Sequence, residues 1–268
     1  MDDFITSVRQ ALGDIFKAAA DLLTVGHEIA ATPSTDPLPE TVRQLLRTVS
    51  NSMRSVLILV EHGCGTDALK IARTMFETAV NIHYLHSHPE AIQDYVDFQW
   101  IKKKKHHDYL LKFAPAQAQR MDDASLSELT AEYARVSPRF TGPKSKVRST
   151  WHKSDHRQVA RSVGGEIIYG GVYPFISSLL HMDILGLIMS GGPSGEVEVV
   201  PSISNLELGI QIAVLSYAMA LTASNEILKA NGEDKIQSAF ENFRNSCAVS
   251  QTLDIWNELA KPKESESD

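Results

Sequence analysis

The chain has 268 residues, 43% of them hydrophobic and 22% charged, and a formal net charge of −7. This is ordinary globular composition with length enough for a sizeable core. The negative balance excludes a general nucleic-acid coat, although a whole-chain sum can hide a local basic patch.

Two cysteines, Cys64 and Cys247, are too few for a disulfide framework or a cysteine zinc site. Two unrelated buried thiols are expected, and a reducing cytoplasmic setting with them. The opening MDDFITSVRQ is acidic and shows no basic signal-peptide region.

Helical periodicity dominates from the first residues. Phe4, Val8, Leu12, Ile15, Ala19 and Leu22 mark a first amphipathic helix over 3–30, broken where Pro33 and Pro37 flank Asp36. A second runs from about Glu40 to Glu61, and Gly63 and Gly65 supply stop signals. A third follows with Thr66 as its N-cap and stops near His88-Pro89. Pro89 suits the first position of a fourth helix reaching about Phe113. A fifth covers 115–136, and 137–154 reads as a long loop. A short helix over 155–163 ends at Gly164-Gly165, and another spans 172–189. Residues 190–202 read as a loop or hairpin arm around VEVV. Two long helices, 204–230 and 233–260, close the chain. The apolar segment 208–223 is interrupted by Gln211, Ser216 and Tyr217, which favours a buried core helix over a membrane span. The expected fold is an all-α bundle of seven to nine helices, one domain over 1–262 with a polar tail at 263–268.

At 100° per residue, Ala68, Leu69, Ala72, Met75, Phe76, Ala79, Val80 and Ile82 of the third helix share a wide apolar arc. Arg73, Glu77 and Tyr84 fall on the border of that arc. They form either an ordinary i,i+4 surface pair or a half-buried pair that orients a site. The helix at 172–189 is apolar nearly all round, with Tyr173, Ser177 and His181 on one stripe. Buried polar groups need partners, so the two stripes are candidates to meet. They would then close a structural seam or line a His/Arg/Glu/Tyr pocket.

The pattern R-x3-E-x6-Y of Arg73, Glu77 and Tyr84, then Trp151, then Y-x3-S-x3-H of Tyr173, Ser177 and His181, resembles domain-of-unknown-function family 5677 over about 40–230. That resemblance implies a helical domain, picks out the same polar set and names no substrate. A looser likeness is to HEPN helical domains, many of them metal-independent ribonucleases in toxin or phage-defence systems. Their R-x4-6-H hallmark is not met. Arg148 and His152 have three residues between them, and Arg73 and His83 have nine.

Residues 135–161 carry eight lysines and arginines against Asp155, a local charge of +7. IKKKKHHD at 101–108 adds four lysines, which on a helix read as a solvated face. Arginines with Phe140 and Trp151 interleaved suit phosphate and base contacts. An acidic partner, or the chain's own acidic helices, would account for the charge equally well. No nucleophile elbow surrounds Ser177, no HExxH is present, and no metal or cofactor is expected.

Two functions follow. The first is a HEPN-like metal-independent ribonuclease or toxin in bacterial defence. In it Arg73, Glu77 and His181 are catalytic, and Tyr84, Tyr173, Ser177, Arg148, Trp151 and His152 hold the ligand. The second is a non-catalytic helical module that binds a polyanion or a partner protein. Both place RNA or another polyanion at 135–161, neither needs a membrane, and a homodimer or partner protein stays open.

Overall fold

A computed structural model describes residues 2–142, 146–166, 168–181 and 203–247. The elements run α1 (Asp2–Ala30), α2 (Pro37–Glu61), α3 (Gly65–Ser87), a 3-10 turn (Pro89–Ala91), α4 (Ile92–Phe113), α5 (Pro115–Ala118), α6 (Asp123–Phe140), α7 (His156–Ser162), a π-helical turn (Ile168–Val172), α8 (Tyr173–His181), α9 (Ile203–Leu228) and α10 (Glu233–Ser246). The all-α class is as expected. Among the described residues the only β pairing is one isolated antiparallel bridge, Thr141 with Val147.

The chain divides into two compact units, one of residues 1–87 and 157–268, the other His88–His156. In the first, α9 packs on α3 and α2, and α1 on α2 and α10. Its core is set by the sequence periods: Leu12, Ala19 and Leu22 of α1, Leu46, Met53 and Val56 of α2, and Leu69, Met75 and Phe76 of α3 are buried. Each fully buried aliphatic side chain contributes about 1.5–3 kcal/mol.

α9 belongs to this core. Leu206–Leu228 is long and apolar enough to cross a membrane by length and composition, yet 67% of its most apolar window is buried within the fold. Its polar breaks are satisfied there. Ser216 Oγ donates to the Ile212 carbonyl at 2.8 Å, Gln211 Nε2 to Glu207 at 2.7 Å, and the Tyr217 hydroxyl meets Ser50 Oγ at 2.7 Å.

The turn between α2 and α3 corrects three sequence expectations. Gly63 takes φ +79°, which lets its N–H reach the Val60 carbonyl and the Cys64 N–H the Leu59 carbonyl. Gly65 opens α3 instead of ending α2, so Thr66 lies inside the helix, and the Cys64 carbonyl accepts the first helical bond, from Ala68 N. Cys64 is exposed because it occupies this turn, while Cys247 is buried.

The second unit is α4 against α6 around Phe98, Ile101, Val136 and Phe140. Here the expected single helix over 115–136 is two. Asp122 caps α6 by accepting from Ser125 N at 2.7 Å, and α6 runs through Pro138 to Phe140. The expected helices over 172–189 and 233–260, and the arm at 190–202, extend outside the described residues.

Candidate functional site

In the first unit the border of α3 meets the start of α8. Arg73 Nε donates to Glu77 Oε1 at 3.2 Å, and Arg73 Nη2 to the Tyr173 hydroxyl at 2.5 Å. That hydroxyl in turn donates to Glu77 Oε1 at 2.7 Å. The Arg73 guanidinium carbon lies 4.1 Å from the centroid of the Tyr173 ring, which stacks on Tyr169 at 4.6 Å and 16°. The side chains of Arg73 and Glu77 are 17% and 32% exposed, so the pair is neither a surface bridge nor fully dry. Burial, then the Glu77 carboxylate, push the Tyr173 phenol up to about 12 against the lowering pull of Arg73. Arg73 Nη1 is buried with no partner among the described residues.

The two predicted stripes therefore touch at one end. Tyr173 joins Arg73 and Glu77. Tyr84 is half-buried and packs on the core, and Ser177 is half-buried on α8. His181 closes α8, but its side chain lies outside the described residues. In this cluster one hydroxyl is both acceptor and donor, and the arginine engages a carboxylate, a phenol and a ring face with Nη1 left over.

In the second unit two arginines of the basic segment are answered by the acidic side of α4. Asp97, 3% exposed, accepts from Arg135 Nη2 at 2.9 Å and Nη1 at 3.3 Å, and also from Arg139 Nη2. Arg139 Nη1 reaches Asp94 at 2.8 Å. Burial opposes ionisation of Asp97, but hydrogen bonds from Arg135, Gln93 and Arg139 outweigh it and hold the carboxyl below its usual range. The spacings legible in the sequence were Asp94/Asp97 at i,i+3 and Arg135/Arg139 at i,i+4, each a one-face pair.

Trp151 and His152 are buried, at 8% and 4% exposure, so neither ring presents a face to a ligand. Trp151 stands edge-on to Tyr95 at 5.0 Å. His152 Nδ1 lies 2.6 Å from the Ser154 carbonyl, which can only accept, so Nδ1 carries the proton. Burial lowers the His152 pKa, partly offset by that carbonyl. Arg148 Nη2 donates to the Arg139 carbonyl at 2.9 Å and its guanidinium covers Phe140. Arg148 Nη1 is buried without a partner among the described residues.

Beside these groups opens a cleft of about 960 Å³. Its cations are Lys104, Lys105, Lys146, Arg148 and Lys153, its acids Asp108 and Asp155. Lys104 is committed to Asp108 at 2.5 Å. Lys105, Lys146 and Lys153 are exposed and make no ion pair among the described residues. Tyr133, Ser149, Thr150, Ser154 and His156 add further polar residues to the lining. The lysines of α4 thus do more than solvate a helix: Ile101, Lys104, Lys105 and Asp108, at i, i+3, i+4 and i+7, form one wall. That spacing was the signal. Among the described residues no group of three or more His, Cys, Asp or Glu could hold a metal ion.

Fold and side chains together define an all-α protein with an Arg-Glu-Tyr seam in one unit and a basic cleft in the other. The chain belongs to a family of unknown function, DUF5677, whose profile matches residues 40–195, more than half of its length. Arg73, Glu77, Tyr84, Trp151, Tyr173, Ser177 and His181 all fall within the match. No curated protein and no solved structure matches the chain.

Proposed function

We propose that the protein is a non-catalytic helical module that binds a polyanionic ligand in the basic cleft of its second unit. The observation that carries this is the convergence of Lys105, Lys146 and Lys153 on one cleft with no acidic partner among the described residues. Like charges held together raise each other's free energy, and a bound anion relieves it. The lining hydroxyls supply further donors for such a ligand. An exposed thiol at Cys64 suits a reducing, cytoplasmic setting.

A HEPN-like ribonuclease toxin draws less support. It asks Arg73 to stabilise a pentavalent phosphorane, and Arg73 already serves Glu77 and Tyr173.

The test is fluorescence anisotropy with a labelled oligouridine and, as competitor, inorganic polyphosphate. Lys105→Glu/Lys153→Glu should weaken both at least about tenfold, since two cleft charges change sign. Equal binding by wild type and variant would sink the reading. RNA recovered from the same mixtures should be intact on a gel. Cleavage that His181→Ala removes would install the ribonuclease in its place.

A further inference from the structure

The cleft wall of α4 does not end at Asp108. Carried on at 100° per residue, Lys112 falls back on the same face and Tyr109 on its edge, about 40° round from Lys105. Tyr109 lies one turn past Lys105, about 6 Å further along the helix axis. Tyr109 is 59% exposed and Phe113 61%. The two rings are in contact, centroids 4.7 Å apart and planes tilted by 42°. Lys112 Nζ sits 5.0 Å from the Phe113 centroid. A pair of large rings left in water beside a basic cleft marks a contact surface more readily than a stability device. Phe140 and Trp151, the aromatics interleaved with the basic segment, are buried and cannot fill this role.

Two features now adjoin along α4: a cleft whose Lys105, Lys146 and Lys153 are unpaired among the described residues, walled on one side by this helix, and an open aromatic platform just beyond it. Cations alone suit any polyanion. Ring faces add nothing for a polyphosphate, and a sulfated sugar offers them only its C–H face, whereas every nucleobase presents a π-face that stacks on them. A duplex hides its base faces inside the stack, so the platform serves only unpaired strands.

We propose that the polyanion is a single-stranded nucleic acid, with its phosphates along Lys105, Lys146 and Lys153 and a base stacked on the Tyr109–Phe113 pair. This rests on the cleft-binding reading above and adds the bases to it. A base on Tyr109 carries its own phosphate towards Lys105, one turn back on the helix, so stacking and charge act on one nucleotide.

The experiment compares full-length protein binding to labelled oligouridine and to a sugar-phosphate oligomer of equal length and charge without bases. Wild type should prefer oligouridine at least about fivefold, as one stacked base contributes. Tyr109→Ala/Phe113→Ala should erase that preference and leave the abasic affinity unchanged, while Tyr109→Phe, which keeps the ring, should retain it. Both rings are exposed, so thermal melts of the variants should match wild type. Equal wild-type affinity for the two oligomers overturns the base-stacking proposal and leaves cleft binding standing. So does a preference that survives the double alanine variant. Tighter binding to the matching duplex, or to anionic lipid vesicles alone, overturns it too. If neither oligomer binds, the cleft reading falls with it.

Discussion

The Tyr173 hydroxyl decides what kind of ion pair Arg73 and Glu77 make. An exposed i,i+4 pair contributes about 0.2–0.5 kcal/mol. Here the phenol accepts from Arg73 and donates to Glu77, and its ring lies under the guanidinium. Those contacts are separable. Tyr173→Phe removes the hydroxyl and keeps the ring face, so it should cost about 1 kcal/mol, below the usual ~1.5–3 kcal/mol for a charged hydrogen bond because the site is part-wet. Tyr173→Ala should cost more, as the cation–π contact and the stack on Tyr169 go as well. Urea titrations of Arg73→Met, Tyr173→Phe and the double variant should give a coupling energy of about 1 kcal/mol. A coupling near zero would reduce the seam to an ordinary surface pair. The border position of Arg73 and Glu77 was legible from the angular spacing of α3. Their pairing with Tyr173 was legible only as a demand for some partner, because local periodicity carries no information about residues 96 and 100 positions away.

Helix existence and core faces follow from periodicity, and α1, α2, α3 and α9 begin and end within a few residues of expectation. What periodicity misses is where chemistry interrupts it. The apolar rhythm runs straight across 119–122, so the Asp122 cap that starts α6 is overridden unless its Asp-x-x-Ser spacing is weighed. Trp151 lies in a segment with no period, and its burial against Tyr95 is unreadable there. Close approach of elements is hidden in the same way. A methyl placed on Gly26 of α1 would lie 1.8 Å from the Tyr217 hydroxyl and 3.1 Å from Leu221 Cδ2 of α9. Tyr217 cannot yield freely, since its hydroxyl is tied to Ser50 of α2 and its ring is fully buried. Gly26→Ala gains about 1 kcal/mol of helix propensity. Overpacking and the broken buried hydrogen bond cost more, so a net loss of about 1–3 kcal/mol is expected. At roughly 2–4 °C per kcal/mol, the melting temperature should fall by several degrees. Tyr217→Phe removes the atom that clashes first. The double variant should therefore melt above the sum of the single losses, and strict additivity would refute the close approach.

Net charge is unevenly shared between the two units. Residues 88–156 hold twelve lysines and arginines against nine aspartates and glutamates, +3, which leaves −10 on the rest of the chain. A polyanion is therefore attracted by the net charge of the second unit and repelled by that of the first. Within the +3 unit, Arg135 and Arg139 are already answered by Asp94 and Asp97. Of the remaining cations the cleft lining holds five: Lys105, Lys146 and Lys153, unpaired among the described residues, with Arg148 and Lys104 as the most it can add. For a single strand, log K falls with log salt by about 0.7 per phosphate neutralised. Three contacts give a slope of about −2 and five about −3.5. Anisotropy titrations of oligouridine from low to physiological salt should fall in that window. Lys105→Gln should reduce the slope by about 0.7, while Lys103→Gln, on α4 but outside the cleft lining, should leave it unchanged. A slope near zero would mean that the lysines do not meet phosphate. A slope much steeper than −3.5 would place the strand on charges beyond the cleft, and neither result is compatible with a site made of these five side chains.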